Sequence, residues 1–238
     1  MKIALIGYGK MGKAIEEIAE VEGHEIVLKI ASENRNLLTI ENIKQADVAI
    51  EFTNPQSAVD NIKKCFDANV PVVCGTTGWL KEMDEIKNYC SQKQGAFLYA
   101  SNFSVGVNLF FALNNYLATL MSTHTEYNIS IEETHHTQKK DAPSGTAITL
   151  AEQILEKIKS KTNWVNNESN DASTLEIISR RINDVPGIHT IKYNSATDFI
   201  QITHSAHNRK GFAGGALLAA KFIAGKKGIF SMQDVLGL

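Results

Sequence analysis

The run Gly7-Tyr8-Gly9-Lys10-Met11-Gly12 constrains this chain more than any other feature. It follows an apolar stretch, Lys2–Gly7, and opens a segment, Met11–Glu22, whose apolar residues recur at helical spacing. A G-x-G-x-x-G pattern is weak in isolation and informative between a strand and a helix. Gly7 permits the tight turn, Gly9 lets a backbone approach a pyrophosphate, and Gly12 allows close helix–sheet packing. The helix N-terminus adds free N–H groups and positive potential. The motif predicts a dinucleotide site built from Gly7, Tyr8, Gly9, Lys10, Met11 and Gly12.

The next ninety or so residues keep the alternation going. His24–Ala31, Ala46–Phe52, Val70–Thr76 and Ala96–Ser101 read as strands, with helical stretches near Gln56–Ala68 and Leu80–Lys93. Alternating strands and helices with right-handed crossovers imply a Rossmann-like, doubly wound parallel sheet, class α/β. The pattern changes after Ser101. Val107–Met121 is helical in pattern, Tyr127–Glu133 alternates as a strand, and a loop, Thr137–Pro143, leads into a helix over Ser144–Lys159. The polar, Asn-rich Thr162–Ser173 reads as a surface excursion. Thr174–Ile182, His189–Asn194 and Phe199–Ser205 are strand-like, and the helical Gly214–Ile223 returns the chain to the first domain. Clustered strands beside helices predict a second, α+β domain with an open mixed sheet, a face that often joins copies of a chain.

Charge and cysteine content narrow the function. A net charge of -2 over 238 residues offers no basic field for nucleic acid. No stretch approaches the apolar length of a membrane span, and the apolar start is too short for a signal peptide. Cys65, Cys74 and Cys90 are odd in number and lack C-x-x-C spacing, which suits reduced thiols in a cytoplasmic protein. Cys74 reads as a buried structural thiol in preference to an acylating nucleophile.

Cofactor preference stays open at this level. A carboxylate at the end of the second strand would favour NAD by accepting from the ribose 2′-hydroxyl. Here that strand ends Ile30-Ala31-Ser32-Glu33-Asn34-Arg35. Ser32 and Glu33 are candidate cofactor contacts, and Arg35 could pair with a phosphate. Gly75-Thr76-Thr77-Gly78 falls on the carboxyl edge where ligands bind in open α/β sheets, which suits a nicotinamide ribose. An ordinary strand-to-helix turn accounts for it equally well.

The richest segment is Glu132-Glu133-Thr134-His135-His136-Thr137-Gln138-Lys139-Lys140-Asp141-Ala142-Pro143-Ser144-Gly145-Thr146. Two histidines finish a strand, a lysine follows, and Pro-Ser-Gly-Thr opens a helix with Ser144 suited to its first turn. Ser144, Gly145 and Thr146 offer hydroxyls and N–H groups to an anion such as a substrate carboxylate. His135 and His136 make poor metal ligands, because strand neighbours face opposite ways and no third ligand stands nearby. No metal is expected. A serine hydrolase would need a G-x-S-x-G elbow, which is absent here. A polar loop before a well-capped helix is the plain alternative.

His135-His136-x-x-Lys139-x-Asp141-Ala142-Pro143-Ser144-Gly145-Thr146 resembles the signature of dihydrodipicolinate reductases. The resemblance runs through Gly7–Gly12, Gly75–Gly78, Asn102-Phe103-Ser104-Val105-Gly106, Gly187-Ile188-His189-Thr190, Ile202-Thr203-His204 and Phe212-Ala213-x-Gly215-Ala216. It implies reduction of 4-hydroxy-tetrahydrodipicolinate to tetrahydrodipicolinate by NADH or NADPH, with loss of water, in the diaminopimelate route to lysine. It implies a dinucleotide-binding domain over 1–104 and 210–238. A domain over 105–209 would bind the cyclic dicarboxylate and build a homotetramer.

Carried over by position, His135 looks like the proton donor, assisted by Lys139. His136, Lys139, Ser144, Gly145 and Thr146 look like the carboxylate cradle. Gly7, Lys10, Met11, Gly12, Gly75, Thr77, Ser101, Asn102 and Phe103 look like cofactor contacts, with Thr76 between them. Three positions depart from the family pattern. Ala31 and Ser32 stand where an acidic residue and an arginine are common, and Ser101 replaces a frequent proline. The chemistry suits these residues. Hydride delivered to a conjugated imine pushes electrons toward the ring nitrogen, and a histidine can supply the proton. Another NAD(P)-dependent oxidoreductase would leave the Lys139–Thr146 segment without purpose. A non-catalytic dinucleotide sensor would leave His135 and Lys139 without one.

Overall fold

The computed structural model describes residues 1–208 and 210–238. The chain forms two compact units. The first joins Met1–Val105 to Lys210–Leu238, and the second begins at Gly106.

The first unit is a six-stranded sheet of β1 (Lys2–Ile6), β2 (Glu25–Ile30), β3 (Val48–Glu51), β4 (Val72–Cys74), β5 (Ala96–Tyr99) and β11 (Gly228–Phe230). Its order is β11-β5-β4-β3-β1-β2, and every pair is parallel. Period-two alternation explains why β3 and β4 are buried along their whole length. Ala4, Ile6, Ala49, Val72 and Phe97 face a core that includes Ile62 and Phe66 of α3 (Pro55–Asp67) and Ile86 of α4 (Met83–Gln92). Ile3, Leu5, Val48, Ile50 and Val73 face the opposite core. There they meet Ile15 and Ala19 of α1 (Lys10–Val21) and Ala216 and Ala220 of α7 (Lys210–Ile223). The chain runs from β1 out to β2 and returns to β3 on the other side of β1. This reversal opens a crevice at the carboxyl ends of β1 and β3.

Some short elements have no counterpart in the sequence reading. They are α2 (Ile40–Ile43), the edge strand β11, α8 (Met232–Leu236) and the 3-10 turn Ser32–Leu37. Pieces of three to six residues are too short for periodicity to register. β11 exists because it adds to the free edge of β5, with Gly228 opposite Ala96.

The second unit is a mixed five-stranded sheet of β6 (Asn128–His135), β7 (Asn163–Val165), β8 (Thr174–Arg181), β9 (Ile188–Asn194) and β10 (Phe199–Ser205). Its order is β10-β9-β6-β8-β7. β6 lies parallel to β8 and antiparallel to β9. One face is covered. Ile129, Ile131, Ile177 and Ile191 pack with Phe110 and Ala118 of α5 (Val105–Met121) and Leu150 and Ile154 of α6 (Gly145–Lys157). The Thr162–Ser173 excursion is corrected in one respect: it contains the edge strand β7, which pairs with β8. No described helix is long and apolar enough to cross a membrane.

Candidate active site

Sequence dictates the groove of the first unit. Gly7 adopts φ +103°, and a β-carbon there would lie 1.9 Å from the carbonyl oxygen of Phe52. A β-carbon on Gly12 would lie 2.4 Å from the carbonyl oxygen of Gly7, so only glycine lets α1 start this close to the turn. Gly9 meets no atom within 4 Å and leaves the turn open above it. A cleft of about 340 Å³ results, walled by Gly7–Gly9, Ala31–Glu33, Arg35 and the Phe52–Asn54 turn. A second hollow adjoins it through Gly9, Phe52 and Thr53, and Lys10, Met11, Gly75, Thr76 and Thr77 line it.

The groove therefore gathers Gly7, Tyr8, Gly9, Lys10, Met11, Ser32, Glu33, Gly75, Thr76 and Thr77. Gly12 is buried beneath it. The Thr76 hydroxyl is committed to the scaffold, accepting from the Thr53 N–H at 2.8 Å. Ser101, Asn102 and Phe103 follow β5 but line neither hollow. Phe103 packs its ring into the core, 5.6 Å from that of Phe52, which leaves only its backbone available. Thr53, Asn54 and Ser57 line the cleft unforeseen. Their signal was the Thr53-Asn54-Pro55 turn that caps α3 at the end of β3, where the Asn54 side chain accepts from Ser57. The Cys74 thiol donates to the buried Glu51 at 3.1 Å. Burial and that carboxylate push the thiol's pKa far up, so Cys74 is no nucleophile.

In the second unit, the alternation that buries Ile129 and Ile131 continues to Glu133 and His135, placing both on the covered face. Pairing then brings Ser179 opposite Glu133 and Arg181 opposite His135 on β8, and His189 opposite Glu133 on β9. His135 Nδ1 lies 3.0 Å from Glu133 Oε2. Glu133 Oε1 accepts from Ser179 Oγ at 2.7 Å, from the Ser144 N–H at 3.2 Å and from both Arg181 Nη atoms at 3.3 Å. The His189 ring meets His135 edge-on, 5.0 Å between centroids. Burial would raise the pKa of Glu133, but hydrogen bonds from His135, Ser144 and Ser179 outweigh it and hold the carboxyl well below its ordinary 4.5. Burial, with His135 close by, pushes His189 down to about 3, so its imidazole is neutral.

Ser144 is the N-cap of α6, as its place before the helix suggests. It is 2% exposed, and its N–H serves Glu133. Its hydroxyl caps α6 by accepting from Ala147 N–H and meets His189 Nε2 at 3.0 Å. Gly145, the next residue, is exposed at the head of α6, and Thr146 follows it. Lys139 reaches Asp141 at 2.8 Å on the connecting loop, and His136 leaves the strand toward a hollow shared with Asn183 and Pro186. Glu133, Ser179, Arg181 and His189 were given no site role in the sequence reading. Glu133 stands two residues before His135, which is the spacing that puts two strand residues on one face. Atoms of Glu133, His135 and His189 lie within 4.8 Å of one another, a spacing that cation ligands share. The Arg181 guanidinium already neutralises that carboxylate, which disfavours a second cation there.

The chain matches the family model described as dihydrodipicolinate reductase, N-terminus, over residues 1–103, and that described as dihydrodipicolinate reductase, C-terminus, over 106–236. It belongs to the dihydrodipicolinate reductase family. A 4-hydroxy-tetrahydrodipicolinate reductase of Christiangramia forsetii is 49% identical over 238 residues, covering 99% of this chain and 98% of that protein. The Neisseria meningitidis serogroup C protein of the same name is 36% identical over 203 residues, 82% of this chain and 74% of that one. The fold is similar to that of a dipicolinate-bound dihydrodipicolinate reductase from Paenisporosarcina, with a TM-score of 0.78, 22% identity and 98% of each chain covered. A probable dehydrogenase of Thermotoga maritima shares the fold more distantly, with a TM-score of 0.57, 11% identity and 99% and 92% coverage. Membership agrees with the segments from Gly7–Gly12 to Phe212–Ala216 that carry the resemblance in sequence.

Proposed function

We propose that this reductase converts 4-hydroxy-tetrahydrodipicolinate to tetrahydrodipicolinate with loss of water, in the diaminopimelate route to lysine. The observation that carries this reading is one chain holding both a nucleotide groove and the buried His135–Glu133 pair beside Lys139. The near full-length likeness to named reductases supports the choice of substrate.

The groove suits a pyridine nucleotide: the turn above Gly9 is bare, and the N-terminus of α1 faces the hollow lined by Lys10 and Met11. A bound nicotinamide nucleotide would supply the hydride. Gly7–Gly12 would seat its pyrophosphate, with Ser32 and Arg35 at the adenosine end and Gly75–Thr77 at the other. No carboxylate ends β2 at Ala31 or Ser32, and Arg35 lines the cleft with Nη2 on Ser57 Oγ at 2.9 Å. We read this as a site that accepts NADPH at least as well as NADH.

In the second unit, Lys139 and the N–H groups of Gly145 and Thr146 would hold the substrate carboxylates, with His136 beside them. His135 would give a proton to the ring as negative charge arrives there, and Lys139 would stabilise that charge. Exposed Phe199 and Ile200 on β10 support assembly of copies through this sheet, as a homotetramer. The test is loss of reduced-nucleotide absorbance when the protein meets freshly generated substrate, with NADH and NADPH in parallel. Turnover that requires both substrate and protein is expected. Folded protein that binds nucleotide and leaves it unoxidised contradicts the proposal.

A further inference from the structure

We propose that Glu133 is the positioning residue of this reaction: its buried carboxylate stands against His135 Nδ1 as a fixed negative charge, which keeps a proton on Nδ1 and leaves Nε2 to present the reacting one. The inference rests on His135 being the proton donor, as set out above.

Four observations carry it. First, Glu133 is 0% exposed and its Oε2 stands 3.0 Å from His135 Nδ1. Second, the other oxygen is anchored from three sides, by Ser179, by the Ser144 N–H and by Arg181. A carboxylate held in this way cannot rotate from the histidine without breaking those bonds. Third, the histidine ring is confined. His189 packs edge-on against it, and a β-carbon on Gly187 would come within 3.1 Å of Nε2 and 3.2 Å of Cδ2. Glycine at 187 thus keeps the Nε2 side uncrowded. Fourth, Glu133 and His135 share one face of β6, so the strand itself sets their separation.

The charges around the ring favour this role. Glu133 is the anion in contact with it. Arg181 from β8 is spent on the far oxygen of the same carboxylate. From β9 comes His189, and from β10 His204, which stacks near Phe110. On the following loop Lys139 is paired with Asp141. An anion at Nδ1 stabilises the imidazolium and fixes Nδ1–H as the proton retained. In the reaction the Nε2–H bond breaks, the proton joins the reduced ring, and the imidazolium becomes a neutral imidazole. Solvent then returns a proton to Nε2.

The experiment compares the pH dependence of kcat in the full-length protein and its Glu133→Gln, Glu133→Asp and His135→Gln variants. Activity that needs a protonated donor is lost on the alkaline side of the profile. Replacing the carboxylate by an isosteric amide should move this alkaline limb down by about one pH unit or more. The substrate KM should stay within about threefold, and Glu133→Asp should recover part of the shift. An unmoved limb in Glu133→Gln, whatever its kcat, overturns the positioning role, provided the limb disappears in His135→Gln. A limb that persists in His135→Gln overturns instead the proton-donor reading on which the inference rests. Nitrogen NMR of labelled histidine in the unmutated protein gives a reading independent of how the variants fold. The neutral His135 ring should be the Nδ1–H tautomer, and an Nε2–H tautomer would overturn the proposal.

Discussion

Arg181 meets the fully buried Glu133 with both terminal nitrogens, each 3.3 Å from Oε1. The pair links β8 to β6 at the end of the sheet where α6 begins, so it supports the fold and the histidine cluster together. Removing the guanidinium leaves a buried carboxylate with less compensation. Arg181→Met should destabilise the protein by about 2 kcal/mol, below the usual cost of a fully buried pair because Arg181 is partly exposed. Urea unfolding at neutral pH checks this, and a change under about 0.5 kcal/mol, the range of ordinary surface substitutions, would speak against it.

The same cluster sets an acid limit on stability. His189 has its pKa lowered from 6.5 to about 3 in the folded chain, and that of Glu133 is lowered from 4.5. In each case the unfolded chain binds the proton more readily. The stabilisation is therefore present above the unfolded pKa and drains away as pH falls: from 6.5 toward 3 for His189, and below 4.5 for Glu133. Each group contributes a slope of at most about 1.4 kcal/mol per pH unit. His189→Gln should flatten the decline between pH 6 and 4, roughly its window. Melting temperatures across that range measure it, and an unchanged slope would remove His189 from the account.

Lys139 is the ammonium proposed to hold a substrate carboxylate. Lys139→Met should raise the substrate KM by about tenfold or more, the loss of one charge-assisted hydrogen bond, and lower kcat as well. Steady-state kinetics separates the two, and an unaltered KM would show that Lys139 binds no carboxylate.

Arg35 is the residue proposed to favour NADPH. Arg35→Ala should raise the KM for NADPH by roughly tenfold while changing that for NADH little. Ser32→Asp should favour NADH by placing a carboxylate at the ribose 2′ position. Equal effects on both nucleotides would show that Arg35 acts only through Ser57.

The parallel sheet and the glycine turn were legible in sequence because they rest on local signals. Ile3–Ile6 is apolar without interruption, and Gly7 and Gly12 answer steric demands that no other residue meets. His135 and Lys139 stood out as candidates because they lie in one long segment. Glu133, Arg181 and His189 did not, although Glu133 lies two residues from His135. Their meeting depends on strand register between β6, β8 and β9, which short alternating runs do not encode individually. The burial of Ser144 and Phe103 was hidden for a similar reason: each has polar or surface-compatible neighbours in sequence and a packed partner in space.

The most direct measurement is turnover by His135→Gln beside the unmutated protein, with freshly generated substrate and saturating reduced nucleotide. The account predicts intact nucleotide binding and a kcat lower by roughly 10²–10⁴-fold, the range for loss of a general acid. Near-normal turnover in the variant would contradict it and move the proton donor to another residue.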